Sequence, residues 1–410
     1  MKTFPAGPVG RRARRHRALG LTLVELMVAI AVGLVLSLVI AGTVLTMGRQ
    51  FSVVASNVAA QGSAQIALSL IDSAGRSAGA GLFNNGRLLC PTLNAWKDGA
   101  VFADDSVLLP LKITDGGSDS ASDTIVFTGA TALGALTAVP LMDTSATTDT
   151  TVKVSNAGGL QDGDLALMGA PGSGQPCLLF QITAAPAMDE VACGGNATLC
   201  TTLTRVGAAS SGYNPPAAAF SNAPRYGFQS SAATPATYGP AVVQRLGSSF
   251  AQTAFAVQCG ALIQYNAFSD TPACTQNPLS FSGGANALAT DVVLMHAQYG
   301  LGAIGSSDVV TSWVDATGIW KNPNPTNVER IKALRVVVVV RAKEAESTNV
   351  SAACTNASGV VNTGPCSFQD ANAPVIDLSG AASAAGKTWR NYRYRVHQAV
   401  IPLRNVIWSD

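Results

Sequence analysis

The sequence predicts an α+β chain in which one long N-terminal helix is followed by a large β-rich head. Two observations predict this class. The 23 residues from Leu26 to Gly48 contain no ionisable side chain, and a helix rising ~1.5 Å per residue would let such a run cross a hydrocarbon core ~30 Å thick. Beyond Gly81, short runs rich in apolar and β-branched residues alternate with Gly, Asp and Ser, a pattern typical of strands and turns.

The basic charge of the chain is concentrated at its N-terminus. Six of the 26 Lys and Arg residues lie within residues 1–20, which contain no Asp or Glu. The rest of the chain has 20 basic and 24 acidic residues, a formal charge of −4, so the pI of about 8.1 reflects the first 20 positions. A basic block beside an apolar span is held on the cytoplasmic side of a membrane.

Composition also excludes several classes of protein. A formal net charge of +2 leaves no broad excess of cations to neutralise phosphates, which argues against a strongly basic nucleic-acid-binding domain. A mean hydropathy of +0.27 is too apolar for a disordered tail. The low charged fraction, 12%, with 40 Gly and 20 Pro, favours short strands and turns over a helical bundle.

Glu25 is the first acidic residue of the chain and stands beside the apolar run. A carboxylate at bilayer depth costs about 2.5–3.5 kcal/mol, so it needs either a cationic partner or a position at the headgroup boundary. No Lys or Arg occurs between Leu21 and Gly48. A cut after Gly20 would create an α-amino group that could supply the missing positive charge.

The residues around Glu25 resemble the class III signal of type IV prepilins and pseudopilins, carried by ALG at 18–20 and LTLVELMVAI at 21–30. The resemblance implies that a prepilin peptidase cuts between Gly20 and Leu21 and that Leu21 is then N-methylated. It also implies that Glu25 pairs with the terminal amine of a neighbouring subunit during assembly. Two departures, Leu21 in place of Phe or Met and Gly42 in place of a helix-kinking proline, suit a minor component better than the bulk subunit.

A single helix is predicted over residues 21–76, because no proline occurs between Pro8 and Pro91. Apolar residues recur along it at helical spacing. Its first half is expected to lie in the bilayer or filament core and its second half to pack against the head, and three glycines are expected to end it. The predicted organisation is a leader at 1–20, the assembly helix at 21–76 and the head at 77–410. The spaced apolar residues are Phe51, Val54, Val58, Ile66 and Leu70, and the glycines are Gly75, Gly79 and Gly81.

Ten strands are predicted in the head from apolar or alternating runs bounded by turn residues. The long segments 206–240, 302–327 and 345–387 are expected to be surface loops or insertions. The predicted strands are 105–114, 122–130, 151–156, 164–170, 177–183, 241–247, 261–267, 291–301, 333–343 and 393–408.

The C-terminal half of the head resembles PilW-type minor pilins. A strand ending in Gln298, Tyr299 and Gly300 precedes a valine-rich strand that runs to Arg341, and an Arg404–Asn405 pair lies near the end. The resemblance implies a pilin-like fold for the chain as a whole. Residues 80–290 carry no residues of this family pattern.

All eight cysteines lie beyond the apolar run, which suggests disulfides in an oxidising compartment such as the periplasm. Eight cysteines allow 105 pairings, so proximity is the only guide to connectivity. A zinc site is disfavoured because no Cys-x-x-Cys occurs. Proximity suggests the pairs Cys193–Cys200, Cys259–Cys274, Cys354–Cys366 and Cys90–Cys177.

Signals for catalysis or ligand binding are weak. The run 380–388 nearly imitates a phosphate-binding loop but has five residues, not four, between its glycines. The acidic stretch with Asp115, Asp119 and Asp123 could supply oxygens to calcium, although a solvated turn is favoured. His296 and His397 are interpreted as structural, and the stripe 389–395, with alternating Arg and aromatic residues, is interpreted as an edge strand with nucleic-acid binding as the less favoured reading.

Together, the two resemblances imply a non-catalytic minor pilin of the type IV pilus, without a cofactor or metal. The implied partners are other minor and major pilins, the prepilin peptidase, the inner-membrane assembly platform and membrane lipid. The chain would cross the inner membrane once, with its head in the periplasm, and then enter the pilus at its tip. Two alternatives stay open: a J-class pseudopilin of type II secretion, and a periplasmic adhesin or enzyme that uses the helix only as a tether.

Overall fold

The computed structural model describes residues 22–407, except 85–86, 131–137, 190–199, 206–211, 217, 228–240, 277, 304–308 and 382–383. The chain divides into two compact units, Met1–Ala55 and Ser56–Asp410. Helix α1 spans Leu23–Ser77, close to the predicted range 21–76, and contributes residues to both units. Two short helices, α2 (Pro325–Val328) and α3 (Arg404–Ile407), and two 3₁₀ turns, Gly318–Trp320 and Trp389–Asn391, lie in the second unit.

The described part of the head is built mainly from strands, as the α+β class requires. The first are β1 Phe83–Asn84, β2 Arg87–Leu88, β3 Thr92–Lys97, β4 Ala100–Val107, β5 Leu111–Thr114, β6 Thr124–Ala130, β7 Val139–Pro140, β8 Ser145–Ala146, β9 Thr151–Val154, β10 Leu165–Gly169, β11 Cys177–Gln181, β12 Ala187–Asp189 and β13 Cys200–Thr204. They are followed by β14 Arg225–Tyr226, β15 Val242–Gly247, β16 Phe250–Gln258, β17 Ala261–Asn266, β18 Ala273–Gln276, β19 Leu279–Ser282, β20 Asn286–Thr290, β21 Val292–Leu301, β22 Ser312–Val314, β23 Ile331–Arg341, β24 Cys354–Thr355, β25 Val361–Asn362 and β26 Tyr394–Pro402.

Two of the predicted strands are wrong in extent. The predicted strand 105–114 is divided between β4 and β5, and Pro110, which has no backbone N–H, stands in the connection. The predicted strand 393–408 ends at Pro402, and the chain then turns into α3. Strand β16 was not predicted at all, although it lies at the centre of a five-stranded sheet.

The largest sheet, ordered β4-β3-β11-β10-β15-β7, is buried on both faces at its centre. Every residue of β10 is buried, and successive residues enter different cores. Leu165 and Leu167 join a core that includes Phe250 and Phe268, whereas Ala166 and Met168 join a core shared with the three-stranded sheet β12-β13-β9. The apolar run of β10 therefore reflects a strand covered on two sides rather than one.

The other two large sheets share a core with the C-terminal part of α1. Their orders are β20-β17-β16-β6-β5 and β22-β21-β23-β26. Ala64, Ala67 and Ile71 of α1 are fully buried in this core. They pack with apolar side chains of both sheets, among them Phe127, Phe255, Met295, Val336, Val338 and Ile401.

The second face of the four-stranded sheet is covered by the segment 345–387, which the sequence predicted as a loop. Val337 and Val339 of β23 point to this face and pack with Ile376, Leu378 and Trp389. The segment also carries the short strand pair β24-β25. The valine-rich strand β23 is therefore buried on both faces, with α1 on one side and the segment 345–387 on the other.

Candidate assembly site

Helix α1 begins with a capping box between Thr22 and Glu25. The Thr22 amide and hydroxyl each donate a hydrogen bond to Glu25 Oε2 at 3.1 Å, and the Glu25 amide donates to Thr22 Oγ1 at 3.3 Å. This reciprocal arrangement satisfies two backbone donors at the helix N-terminus and places a carboxylate where the helix dipole favours it. Gly20 and Leu21, the predicted cleavage and methylation positions, lie outside the described residues.

The helical segment that contains Glu25 is long and apolar enough to cross a membrane. It spans Leu23–Leu45 with a mean hydropathy of 2.8, and none of its most apolar window is buried. Ser37 and Thr43 donate their hydroxyl hydrogens to helix carbonyls three residues earlier, so these side chains are satisfied without water. The helix continues through Gly42, where an added Cβ would contact nothing within 4 Å.

The face of α1 that packs in the head is not the face that carries the regularly spaced larger apolar residues. The larger apolar residues remain exposed, while the buried positions are mostly alanines. Because alanine is small, the helix backbone can approach the two sheets closely. The spaced apolar residues therefore form an uncovered stripe, namely Phe51, Val54, Val58, Ile66 and Leu70.

The C-terminus of α1 is fixed by two close contacts. A Cβ added at Gly75 would lie 2.6 Å from Ile401 Cγ2 and 3.3 Å from Phe127 Cε1, so only glycine lets the helix approach β26 at this point. Asn405 Nδ2 donates a hydrogen bond to the Ala78 carbonyl at 3.0 Å. It thereby satisfies a backbone acceptor just beyond the helix end.

Gly79 and Gly81 follow with φ of +80° and +73°, and they turn the chain away from the helix axis.

Gln298, which the PilW resemblance singled out, is part of a buried polar network centred on Arg335. The Arg335 guanidinium donates to Gln298 Oε1 at 2.5 Å, to Asp370 at 2.6 Å and to the Asn372 carbonyl. It also lies 4.9 Å from the ring of Trp313. Arg335 is only 1% exposed, so this set of acceptors is needed to hold a charge in the interior. The strand predicted over 333–343 contains Arg335, and a cation inside an otherwise apolar strand was the available signal for this network.

The other residues of the PilW-like pattern also have defined places in the fold. Tyr299 Oη accepts a hydrogen bond from the Ile113 amide at 2.6 Å and so joins β21 to β5. An added Cβ at Gly300 would lie 2.7 Å from Trp313, so glycine allows that ring to pack against the sheet. Arg341 lies 4.5 Å from the ring of Tyr392. Arg404 opens α3 beside Asn405.

The acidic stretch 115–123 is only partly the solvated turn that was favoured. Asp123 is 4% exposed and accepts hydrogen bonds from the amides of Gly116 and Ala297 at 3.0 and 2.8 Å. His296 Nδ1 lies 3.4 Å from Asp123 Oδ2, and its Nε2 lies 3.0 Å from the Asp119 carbonyl. Within the described ranges, no group of three or more His, Cys, Asp or Glu side chains is placed to hold a metal.

The stripe 389–395 does not form an exposed stacking platform. Trp389 and Tyr392 are buried, and Arg393 pairs with Glu346 at 2.5 Å. Strand β26 starts only at Tyr394 and is an edge strand, as favoured.

Lys387, in the run that imitates a phosphate loop, donates to the Glu346 carbonyl at 3.0 Å, a contact within the fold. His397, expected to be a satisfied structural residue, has a buried Nε2 atom that finds no hydrogen-bond partner among the described residues.

Disulfides join three of the cysteine pairs that proximity suggested. Cys90–Cys177 links the start of β3 to β11, Cys259–Cys274 links β16 to β18, and Cys354–Cys366 closes the loop around β24 and β25. Their Cα–Cα distances are 5.5, 6.3 and 5.6 Å. Cys200 is also disulfide-bonded, but Cys193 lies outside the described residues, so the Cys193–Cys200 pair stays a prediction.

An exposed apolar N-terminal helix that continues into a β-rich head defines a pilin-like α+β protein. The chain matches the family model for type IV pilus-assembly protein W over residues 266–405. It matches the prokaryotic N-terminal methylation motif over residues 15–41. The two matches support a PilW-like, type IV pilus-related pilin, and the apolar helix at the N-terminus supports membrane anchoring. No curated protein and no solved structure matches it.

Proposed function

We propose that this chain is a minor pilin that primes or joins type IV pilus assembly and has no catalytic role. The observation that carries the proposal is the position of Glu25. It stands at the start of an exposed, membrane-length apolar helix, inside the stretch that matches the methylation motif, and the same chain ends in a PilW-like module. A tethered enzyme or adhesin would need the helix but not the carboxylate.

The proposed mechanism follows from the cost of burying that carboxylate. Cleavage after Gly20 frees the Leu21 amine, which is methylated and stays positively charged. Among the described residues of the single chain, Glu25 forms side-chain hydrogen bonds only in the capping box with Thr22. In an apolar filament core, the terminal amine of a neighbouring subunit would neutralise the charge, and the low dielectric strengthens that attraction.

The rest of the helix supplies the contact surface for assembly. Its apolar side chains from Leu23 to Leu45, and the stripe formed by Phe51, Val54, Val58, Ile66 and Leu70, are exposed in the single chain. Leaving the membrane would exchange lipid contacts for contacts with the helices of other pilins. The head would then lie in the periplasm during assembly, a location supported by the disulfides among its cysteines.

The first test is the N-terminus of the natively expressed protein, determined by mass spectrometry. Processing predicts a chain that begins at N-methyl-Leu21, and Gly20→Leu should accumulate the unprocessed precursor. An intact leader in the wild type, or a cut after the apolar run, would contradict the proposal and favour a tethered or secreted head.

The second test compares wild type with Glu25→Gln, which keeps the side-chain size and removes the charge. The variant should be processed and membrane-inserted normally but be missing from sheared surface filaments. Wild-type amounts in filaments would contradict the assembly role of Glu25. Recovery of the wild-type chain with a secretion pseudopilus, and not with surface pili, would instead identify a J-class pseudopilin.

A further inference from the structure

A cleft of about 670 Å³ opens beside the outer edge of β21, and nothing in the assembly mechanism uses it. Strands β21 and β22 form its floor, and the loop 115–123 and the segment 356–375 form its walls. This volume is within the range of sites that bind small organic molecules. Its lining combines two tryptophans with side chains that carry free hydrogen-bonding groups.

Trp313 of β22 provides an aromatic surface on the floor of the cleft, and contacts within the fold fix the position of its ring. One side packs over the Arg335 guanidinium at 4.9 Å, and Gly300 leaves the space that the ring occupies. The buried network of Gln298, Asp370 and the Asn372 carbonyl fixes that guanidinium in turn. The half-exposed indole is therefore a rigid apolar platform, and Trp320 lines the cleft near it.

Planar polar side chains around the platform have hydrogen-bonding capacity to spare within the described residues. Asp315 uses Oδ1 to accept from Gln298, and its Oδ2 atom is unused. The Oδ1 atom of Asn356 accepts from Ser358 and Val360, which leaves its two Nδ2 hydrogens available. The carboxylate of Asp119 and the side-chain amide of Asn372 make no hydrogen bond in this part of the structure. The cleft thus offers acceptors and donors in the same lining as the Trp313 ring.

The charge of the lining decides which ligands fit. Asp115, Asp119, Asp123 and Asp315 line the cleft, and among the described lining residues there is no Lys or Arg. An anionic ligand would meet these carboxylates, and the His296 imidazole in the lining already pairs with Asp123, so its binding is unfavourable in a partly closed space. A ligand rich in hydroxyl groups can donate to the carboxylates and accept from the amide groups, and its apolar C–H face can lie on the indole.

We propose that this cleft binds a saccharide without negative charge, with one face of a sugar ring on Trp313 and its hydroxyls on Asp119, Asp315 and Asn356. This property concerns the head alone and does not depend on whether the helix assembles into a pilus. It assigns the head a recognition function that the assembly role does not contain.

The test uses the full mature chain in a detergent without a sugar headgroup. Saturation-transfer NMR and calorimetry would measure the binding of methyl glucoside, methyl galactoside, glucosamine and glucuronate. At least one of the first three should bind in the millimolar range, and glucuronate should bind at least about tenfold more weakly. Trp313→Ala and Asp315→Asn should each weaken the binding by about tenfold or more.

Matched variants separate the cleft from the stability of the fold. Asp119→Asn removes a carboxylate that makes no hydrogen bond within the described residues, so it should fold normally and still weaken sugar binding. Asp162→Asn, an exposed aspartate elsewhere, should change neither property. The proposal is overturned if none of the sugars binds, if glucuronate binds as well as the neutral glycosides, or if Asp119→Asn binds like wild type. Binding of butylamine without binding of any sugar would also overturn it, because the cleft would then be a site for cations.

Discussion

Two histidines flank the valine strand β23 on opposite faces, and their surroundings move their pKa values in opposite directions. His296 on β21 pairs with Val337, whereas His397 on β26 pairs with Val338. Burial lowers the pKa of His296, but the hydrogen bond and charge of Asp123 and the Asp119 carbonyl outweigh it and leave that pKa raised. Burial and the charge of Arg395 both lower the pKa of His397.

We predict that His296→Asn and His397→Asn have opposite pH dependence. A raised pKa means that His296 contributes stability below its unfolded pKa of about 6.5, and that this contribution is lost as the pH rises through the folded pKa. His296→Asn should therefore lower the free energy of unfolding more at about pH 5 than at about pH 8. The measurement is chemical denaturation of the mature chain at both pH values.

His397→Asn is the matched control for that experiment. A lowered pKa means that the His397 contribution is present above its unfolded pKa and is lost as the pH falls, so this variant should cost more at about pH 8 than at about pH 5. The assignment of the Asp123–His296 contact as a charged pair would be wrong if both variants showed the same pH trend.

At the scale of elements, replacing either of two glycines of α1 by alanine should change the free energy of unfolding in opposite directions. Gly75→Ala brings a Cβ to 2.6 Å from Ile401 and should lower the free energy of unfolding by about 1–3 kcal/mol, because the helix must move away from β26. Gly62→Ala meets nothing within 4 Å and should raise it by up to about 1 kcal/mol through helix propensity alone. Thermal unfolding of both variants tests this, and equal shifts would contradict the close approach at Gly75.

The end of α1 gives a second prediction at this scale. Asn405→Ala removes the hydrogen bond to the Ala78 carbonyl and should cost about 0.5–1.5 kcal/mol of the free energy of unfolding. Asn322→Ala, at an exposed asparagine, is the control and should change it little. Amide hydrogen exchange at the last turn of the helix should be faster only in the Asn405 variant.

The sequence predicted those elements whose pattern lies entirely within neighbouring residues. The apolar run gave the membrane-length helix, and the five consecutive valines gave the central strand β23. Strand β16 was missed because its Ala, Gln and Thr residues form a weak apolar pattern, and its place between β17 and β6 depends on distant segments. The partners of Arg335 come from residues 298, 370 and 372, so no local window contains the network that holds Trp313 in place.

At the scale of the whole molecule, processing should change the sign of the net charge. The full sequence has a formal charge of +2, whereas the chain that starts at Leu21 has −4. Isoelectric focusing should therefore show the mature protein below pH 7 and the Gly20→Leu precursor near the sequence pI of about 8.1. A mature protein that focuses with the precursor would show that the basic leader is retained.

The valine-rich strand β23 affects how the head folds. Val336–Val340 is a short β-prone segment without charge, a type of sequence that promotes aggregation when it is exposed. Helix α1 precedes it in the chain and covers one face, whereas the described residues that cover the other face include Ile376, Leu378 and Trp389, and one edge is paired by β26. During synthesis, this strand therefore emerges before the C-terminal segments that cover it. Chains truncated after Arg341 should be insoluble and depend on chaperones, so the C-terminal segments protect the head from aggregation.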